Sequence, residues 1–169
     1  MWIFAYGSLI FKPDFVYLER RVAVLDGYAR RFWQGSPDHR GTPSAPGRVV
    51  TLVPMPGESC AGCVYRVADE GLDLLLAKLD HREQAGFDRV TLPVRSASDF
   101  SVIVDAIVYV ARADNASFLG PASEQEIAAH IARSSGPSGP NVDYLLGLHR
   151  ALIALGIADF HVQRIVESL

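Results

Sequence analysis

Residues 102–110 read VIVDAIVYV, apolar or aromatic at every position but Asp105. A half-exposed strand alternates apolar and polar residues; this run does not, so both of its faces need cover. It is expected to be a central strand. Shorter strand signals surround it. Residues 21–25 and 29–33 flank Gly27, which suggests one bent or bulged strand. Residues 48–53 form a clear strand that Pro54 and Pro56 are expected to end. Residues 61–67 and 87–95 supply two more. Between them, Leu72, Leu75, Leu76 and Leu79 repeat at helical spacing, with Asp69 as the expected N-cap.

The last third changes character. Ser123 and Glu126 have capping-box spacing and open a helix to about residue 133. Residues 134–140, SSGPSGP, break it. Asn141 is placed to cap the next helix, which carries Leu145, Leu148, Leu152 and Leu155 on one face. Residues 159–169 suit a final short helix. Strands followed by helices predict an α+β fold: a small mixed or antiparallel β-barrel with peripheral helices, in a single domain over 1–169.

Bulk properties exclude several classes. A net charge of −3 gives no drive toward nucleic acid or an anionic membrane. No apolar stretch has bilayer length. The first five residues are too short for a secretory h-region and lack a basic flank, so a cytoplasmic location is expected. Cys60 and Cys63 stand three apart in a strand, on opposite faces, which suits neither a disulfide nor a zinc site. The histidines (39, 81, 130, 149 and 161) offer no i, i+4 ligand pair. No metal site is expected.

Two segments carry chemistry. The apolar run from Trp2 ends in Tyr6-Gly7-Ser8-Leu9, a turn that can present main-chain N–H groups to a carboxylate or oxyanion, with Gly7 allowing close approach. It can equally be a plain structural turn. Glu83 falls four residues after Leu79 and continues the inward face of that helix, where a carboxylate is costly unless paired or protonated. Otherwise the helix frays near Gly86 and leaves Glu83 in solvent or paired with Arg82 or Arg89. Ser8 invites comparison with a serine nucleophile, but the second glycine of a nucleophile elbow is missing. The polar segment 34–43 reads as either a binding wall or a solvated loop. From it and from neighbouring positions, Gln34, Asp38, Arg40 and Arg48 are candidate substrate contacts.

Residues 2–14, 30–36, 38–41, 46–52, 79–87, 114–121 and 136–141 together resemble, in order, the ChaC-like γ-glutamylcyclotransferases. The resemblance covers nearly the whole chain and implies the γ-glutamyl cyclotransferase-like fold. It also implies an activity on glutathione: the γ-glutamyl group closes to 5-oxoproline and Cys-Gly departs, with no cofactor. By the same match, Tyr6, Gly7, Ser8 and Leu9 form the substrate-cradling turn, Glu83 is the catalytic glutamate, and Tyr144 stands near the substrate. In this role Gln34, Asp38, Arg40 and Arg48 would read the Cys-Gly portion. The stretch Gln84-Ala85-Gly86-Phe87 departs from the family pattern, in which a tyrosine takes the place of Phe87. Other γ-glutamyl peptides or amines fit the same cradle. A different class, a non-catalytic metabolite binder or cation-transport regulator, stays open. The sequence says nothing of oligomeric state.

Overall fold

The computed structural model describes residues 1–83, 86–99 and 103–169. The family departure at Gln84 and Ala85 and the first position of the central strand, Val102, lie outside the described residues. Five strands close a mixed barrel in the order β1-β3-β2-β4-β5: β1 (Trp2–Ala5), β2 (Glu19–Ser36), β3 (Gly47–Arg66), β4 (Phe87–Ser96) and β5 (Ile103–Ala111). Neighbours are antiparallel except at the closure, where β1 runs parallel to β5 with Ile3 opposite Ile107. β5 therefore has a strand on each side. Ala106, Ile107, Val108 and Tyr109 are all buried, as an unalternated apolar run requires.

β2 and β3 form one long hairpin that bends at Gly27. Asp26 pairs with Ser59 and the next pair is Tyr28 with Pro54, so residues 55–58 stand opposite Gly27 alone. Gly27 has φ +78°, a conformation that favours glycine. The expectation that Pro54 and Pro56 end the strand is corrected here. Both prolines sit at the exposed corner where the ladder is already interrupted, so the missing N–H breaks nothing and the chain bends and continues.

The helices are α1 (Leu72–Arg82), α2 (Glu124–Arg133), α3 (Asn141–Ala154) and α4 (Phe160–Glu167). Ser123 and Glu126 form the expected capping box of α2. Asp159 caps α4 by accepting from the Val162 N–H at 3.0 Å. Residues 134–140 make a miniature hairpin of β6 (Ser135–Gly136) and β7 (Gly139–Pro140). The inner faces of α2, α3 and α4 meet through Ile127, Ile131, Leu145, Leu148, Leu152, Val162 and Ile165, all essentially inaccessible. That burial supplies the usual driving force for holding helices on a barrel.

Two expected caps differ. Gly71, left-handed at φ +74°, takes the N-cap position of α1, and Asp69 contributes only its carbonyl, to the Leu72 N–H. At α3 the N-cap is Pro140, and Asn141 is the first helical residue. The buried Asn141 amide turns toward the barrel instead. Its Oδ1 accepts from the Arg48 N–H at 2.7 Å and its Nδ2 donates to the Arg48 carbonyl at 2.8 Å, as a neighbouring strand would. Asn141→Ala would strand both main-chain groups. The expected loss is about 2–4 kcal/mol of unfolding free energy, read from urea denaturation.

Candidate active site

β1 delivers the turn to the mouth of the barrel. The buried Tyr6 hydroxyl donates to the Tyr109 carbonyl on β5 at 2.6 Å. Arg30 on β2, only 2% exposed, fixes the main chain beneath: its Nε donates to the Tyr6 carbonyl at 2.7 Å, Nη2 to the Ala61 carbonyl at 2.5 Å, and Nη1 to Asp159 Oδ2 at 2.5 Å. In a trans peptide the C=O and the following N–H point in opposite directions. Holding the Tyr6 carbonyl on Arg30 therefore turns the Gly7 N–H away from Arg30. A Cβ on Gly7 would lie 2.9 Å from Val50 Cγ2 and 3.1 Å from the Tyr144 hydroxyl. Glycine is needed here for space, because a side-chain carbon has no room between those two groups. A short 3-10 turn, Ser8–Ile10, follows and is closed by the Ile10 N–H on the Gly7 carbonyl at 3.0 Å.

Beyond the turn lies a cavity of about 600 Å³. Tyr6, Gly7, Ser8, Leu9, Tyr144 and Glu83 all line it. Tyr144, on the first turn of α3, is held near Gly7 because Asn141 fastens that helix to β3. Glu83 is the C-cap of α1: its N–H still reaches the Leu79 carbonyl at 2.9 Å, and its side chain is 18% exposed. The helix thus persists far enough to turn the acid inward. Arg89 does not pair with it, being engaged by Asp80 at 3.0 Å. Arg82 is its neighbour, with Nε 3.8 Å from Glu83 Oε1, while Arg82 Nη2 donates to Ser8 Oγ at 2.9 Å. One guanidinium thereby joins the acid to the turn.

Burial pushes the Glu83 carboxyl above the ordinary carboxylate range; Arg82 opposes that rise and Asp38 adds to it. Burial, then the Glu83 charge, also holds the Tyr6 phenol well above its ordinary value. Tyr144 is likewise raised, chiefly by burial. Both phenols therefore act near neutrality as hydrogen-bonding groups and not as bases. Ser8 Oγ is hydrogen-bonded to a guanidinium, a cation that cannot take its proton, which is the wrong partner for a serine nucleophile.

The four further contacts divide. Asp38 and Arg40 line the cavity from the loop after β2. Arg40 Nη1 donates to the Pro140 carbonyl at 3.0 Å and its guanidinium stands 5.9 Å from the centre of the Tyr144 ring. Gln34 and Arg48 are not brought to the cavity, which corrects the expectation from loop context. Gln34 is fully buried and exchanges amide hydrogen bonds with Asn115 at 3.1 and 3.2 Å. The Arg48 side chain points to the Phe32 carbonyl at 2.9 Å and to His130 Nδ1 at 3.4 Å. Phe87 does line the cavity, without a hydroxyl to offer. Sequence reasoning passed over Arg30 and the bridging role of Arg82. Arg30 shares a strand face with the buried Phe32, so an inward charge in a strand was the available signal.

Cys60 and Cys63 are both free and buried. Among the described residues, no three His, Cys, Asp or Glu side chains converge as a metal site would need. Among the same residues, no helix is long and apolar enough to cross a membrane.

Comparison with known proteins adds four findings. A family model described as "ChaC-like protein" matches residues 1–169. The chain is 43% identical to γ-glutamylcyclotransferase 2-3 of Arabidopsis thaliana, covering all of this chain and 88% of that protein. It is 42% identical to the human glutathione-specific γ-glutamylcyclotransferase 1, covering all of this chain and 78% of that one. Among solved structures, the yeast γ-glutamyl cyclotransferase specific to glutathione superposes with a TM-score of 0.88 at 32% identity, over 99% of this chain and 96% of that chain.

Proposed function

This chain belongs to the ChaC-like protein family, and on that premise we propose that it is a glutathione-specific γ-glutamylcyclotransferase acting as one domain over residues 1–169. The γ-glutamyl group of glutathione closes to 5-oxoproline, and Cys-Gly leaves. The observation that carries this reading is the meeting of an inward acid, Glu83, and the Tyr6–Gly7 peptide on one cavity of about 600 Å³.

The reaction is an intramolecular aminolysis. The substrate's α-amine attacks its own γ-carbonyl, so the glutamyl chain must curl until the two meet. A cavity that enforces the curl supplies most of the acceleration: orientation of this kind is worth about 7–11 kcal/mol. Main-chain donors of the turn take the glutamyl carboxylate or the developing oxyanion. Each well-aimed oxyanion donor adds about 2.7–4 kcal/mol. Glu83 accepts a proton from the α-ammonium and returns it to the departing cysteinyl nitrogen. Tyr144 and the apolar wall around Leu9 and Phe87 exclude water, which favours ring closure over hydrolysis. A cytoplasmic setting, where glutathione is kept reduced, matches such a substrate.

The test is incubation with glutathione, following 5-oxoproline and Cys-Gly together. Equimolar release is expected. A binder or regulator would release neither. Glu83 works as a base only when ionised, and burial raises its pKa. The acid limb of kcat/KM is therefore expected above the ordinary glutamate value of 4.5. Activity falls as the pH drops through that limb. A limb at or below the ordinary value would remove Glu83 as the base.

A further inference from the structure

A second carboxylate faces the same cavity and has no assigned task. Asp38 sits on the loop between β2 and β3, between neighbours that are both pinned. The Arg40 N–H donates to Ser36 Oγ at 3.0 Å, and the Ser138 N–H donates to the His39 carbonyl at 2.9 Å. The loop backbone presses so closely on the β6–β7 hairpin that a Cβ on Gly136 would lie 2.5 Å from Gly41 and His39 main-chain atoms. Asp38 is thus held in place although its side chain is 36% exposed.

Its carboxylate is poorly provided for. Oδ1 is shut off from solvent and has no hydrogen-bond partner among the described residues. Oδ2 lies 3.9 Å from His39 Nε2, beyond hydrogen-bond reach. Among the described residues, no lysine or arginine pairs with it. Oδ1 is as closed to a ligand as to water, but Oδ2 is open and lacks a donor, so a cationic ligand in the cavity can supply one. Asp38 also stands close enough to Glu83 for its charge to be felt there. Two acids therefore converge on the cavity, and the guanidinium beside them, Arg82, is already shared with Ser8.

We propose that Asp38 anchors the α-ammonium group of the γ-glutamyl substrate, an assignment that rests on the reading of the cavity given above. The α-ammonium is the one cation of glutathione, and it carries three N–H donors. Placed between Asp38 and Glu83, it donates to Asp38 Oδ2, the oxygen left open, and presents a proton to Glu83. After that proton moves to Glu83, the neutral amine keeps an N–H on Asp38 and turns its lone pair to the γ-carbonyl. The new C–N bond forms, Glu83 gives its proton to the cysteinyl nitrogen as the bond to it breaks, and the surplus proton on the new ring nitrogen passes by way of Glu83 to the departing amine, which leaves as its ammonium. Asp38 thereby selects substrates with a free α-amine. This differs from the role of reading the Cys-Gly portion that its loop position suggested.

The probes are glutathione and its desamino analogue, glutaryl-cysteinyl-glycine, which lacks only the α-amine. Binding is measured by calorimetry in Glu83→Gln protein, where turnover is suppressed. Adding Asp38→Asn, nearly isosteric, is expected to weaken glutathione about 10- to 100-fold. The desamino analogue should stay within about twofold. Equal weakening of both ligands, or of neither, overturns the assignment. The wild-type protein is assayed in parallel. Failure to release 5-oxoproline from glutathione would overturn the reading of the cavity, and this assignment with it. Normal wild-type turnover with unchanged discrimination in Asp38→Asn would overturn only the role of Asp38.

Discussion

Glu83→Gln is expected to cut 5-oxoproline release by about 10²- to 10⁴-fold while leaving glutathione affinity within an order of magnitude. Glutamine keeps the shape and the hydrogen-bonding capacity of the side chain but can neither take nor return a proton. The cavity wall and the turn are untouched, so the loss should fall on kcat. A second readout comes from the same burial. A carboxyl whose folded-state pKa is raised favours the native state when protonated. That contribution is complete below the unfolded value of about 4.5 and disappears as pH rises through the folded value. Above its folded-state pKa the wild type carries an ionised acid in a partly dry site, and glutamine removes that burden. Thermal unfolding should show Glu83→Gln more stable than wild type at neutral pH, with the gain vanishing near pH 4. Lower activity with higher stability is the pattern of a residue kept for chemistry at the expense of the fold. Near-normal turnover in this variant would leave the proton transfers without an agent.

Gly7→Ala should be almost as damaging, for a different reason. The added methyl would sit 2.9 Å from Val50 Cγ2, closer than carbon contacts tolerate, and a tight 3.1 Å from the Tyr144 hydroxyl. Neither neighbour retreats easily. Val50 belongs to β3, and Tyr144 is buried between Phe11 and Phe32. The turn must shift instead, carrying its donors off target. Loss of one aligned donor costs about 10²- to 10³-fold in kcat. Overpacking adds about 1–3 kcal/mol of destabilisation. Kinetics on the folded protein, with thermal melts to set the working temperature, separate the two effects. A kcat/KM within about threefold of wild type would mean that the turn does not handle the reacting groups.

Local features of the sequence carried much of this architecture. The apolar run at 102–110 marked an interior strand, and β5 lies between β1 and β4. Gly27 marked a bend, and the β2–β3 ladder shifts register there. Tyr6, Gly7, Ser8, Leu9, Tyr144 and Glu83 were all legible as site candidates and all line the cavity. What stayed hidden depends on partners far along the chain. Arg30 and Asp159 are 129 positions apart, and Arg48 and Asn141 are 93 apart. No periodicity encodes such a pairing. Asn141 has the composition of a cap and serves as a strand mimic, because its amide can satisfy a main-chain N–H and C=O together. Pro54 and Pro56 misled because a corner and a terminus use the same residues. Gln34 and Arg48 misled because polarity alone does not distinguish a ligand contact from a buried side chain answering a neighbouring amide or a main-chain carbonyl.

Asp159 has two duties, one for each oxygen. Oδ1 begins the final helix and Oδ2 grips Arg30, which in turn steadies the Tyr6 carbonyl. The last segment of the polypeptide and the first are therefore geared together through a single carboxylate. Loosening the far end of the chain would be felt as slack at the reacting end, so fraying of the last helix and decline of catalysis should set in at the same temperature.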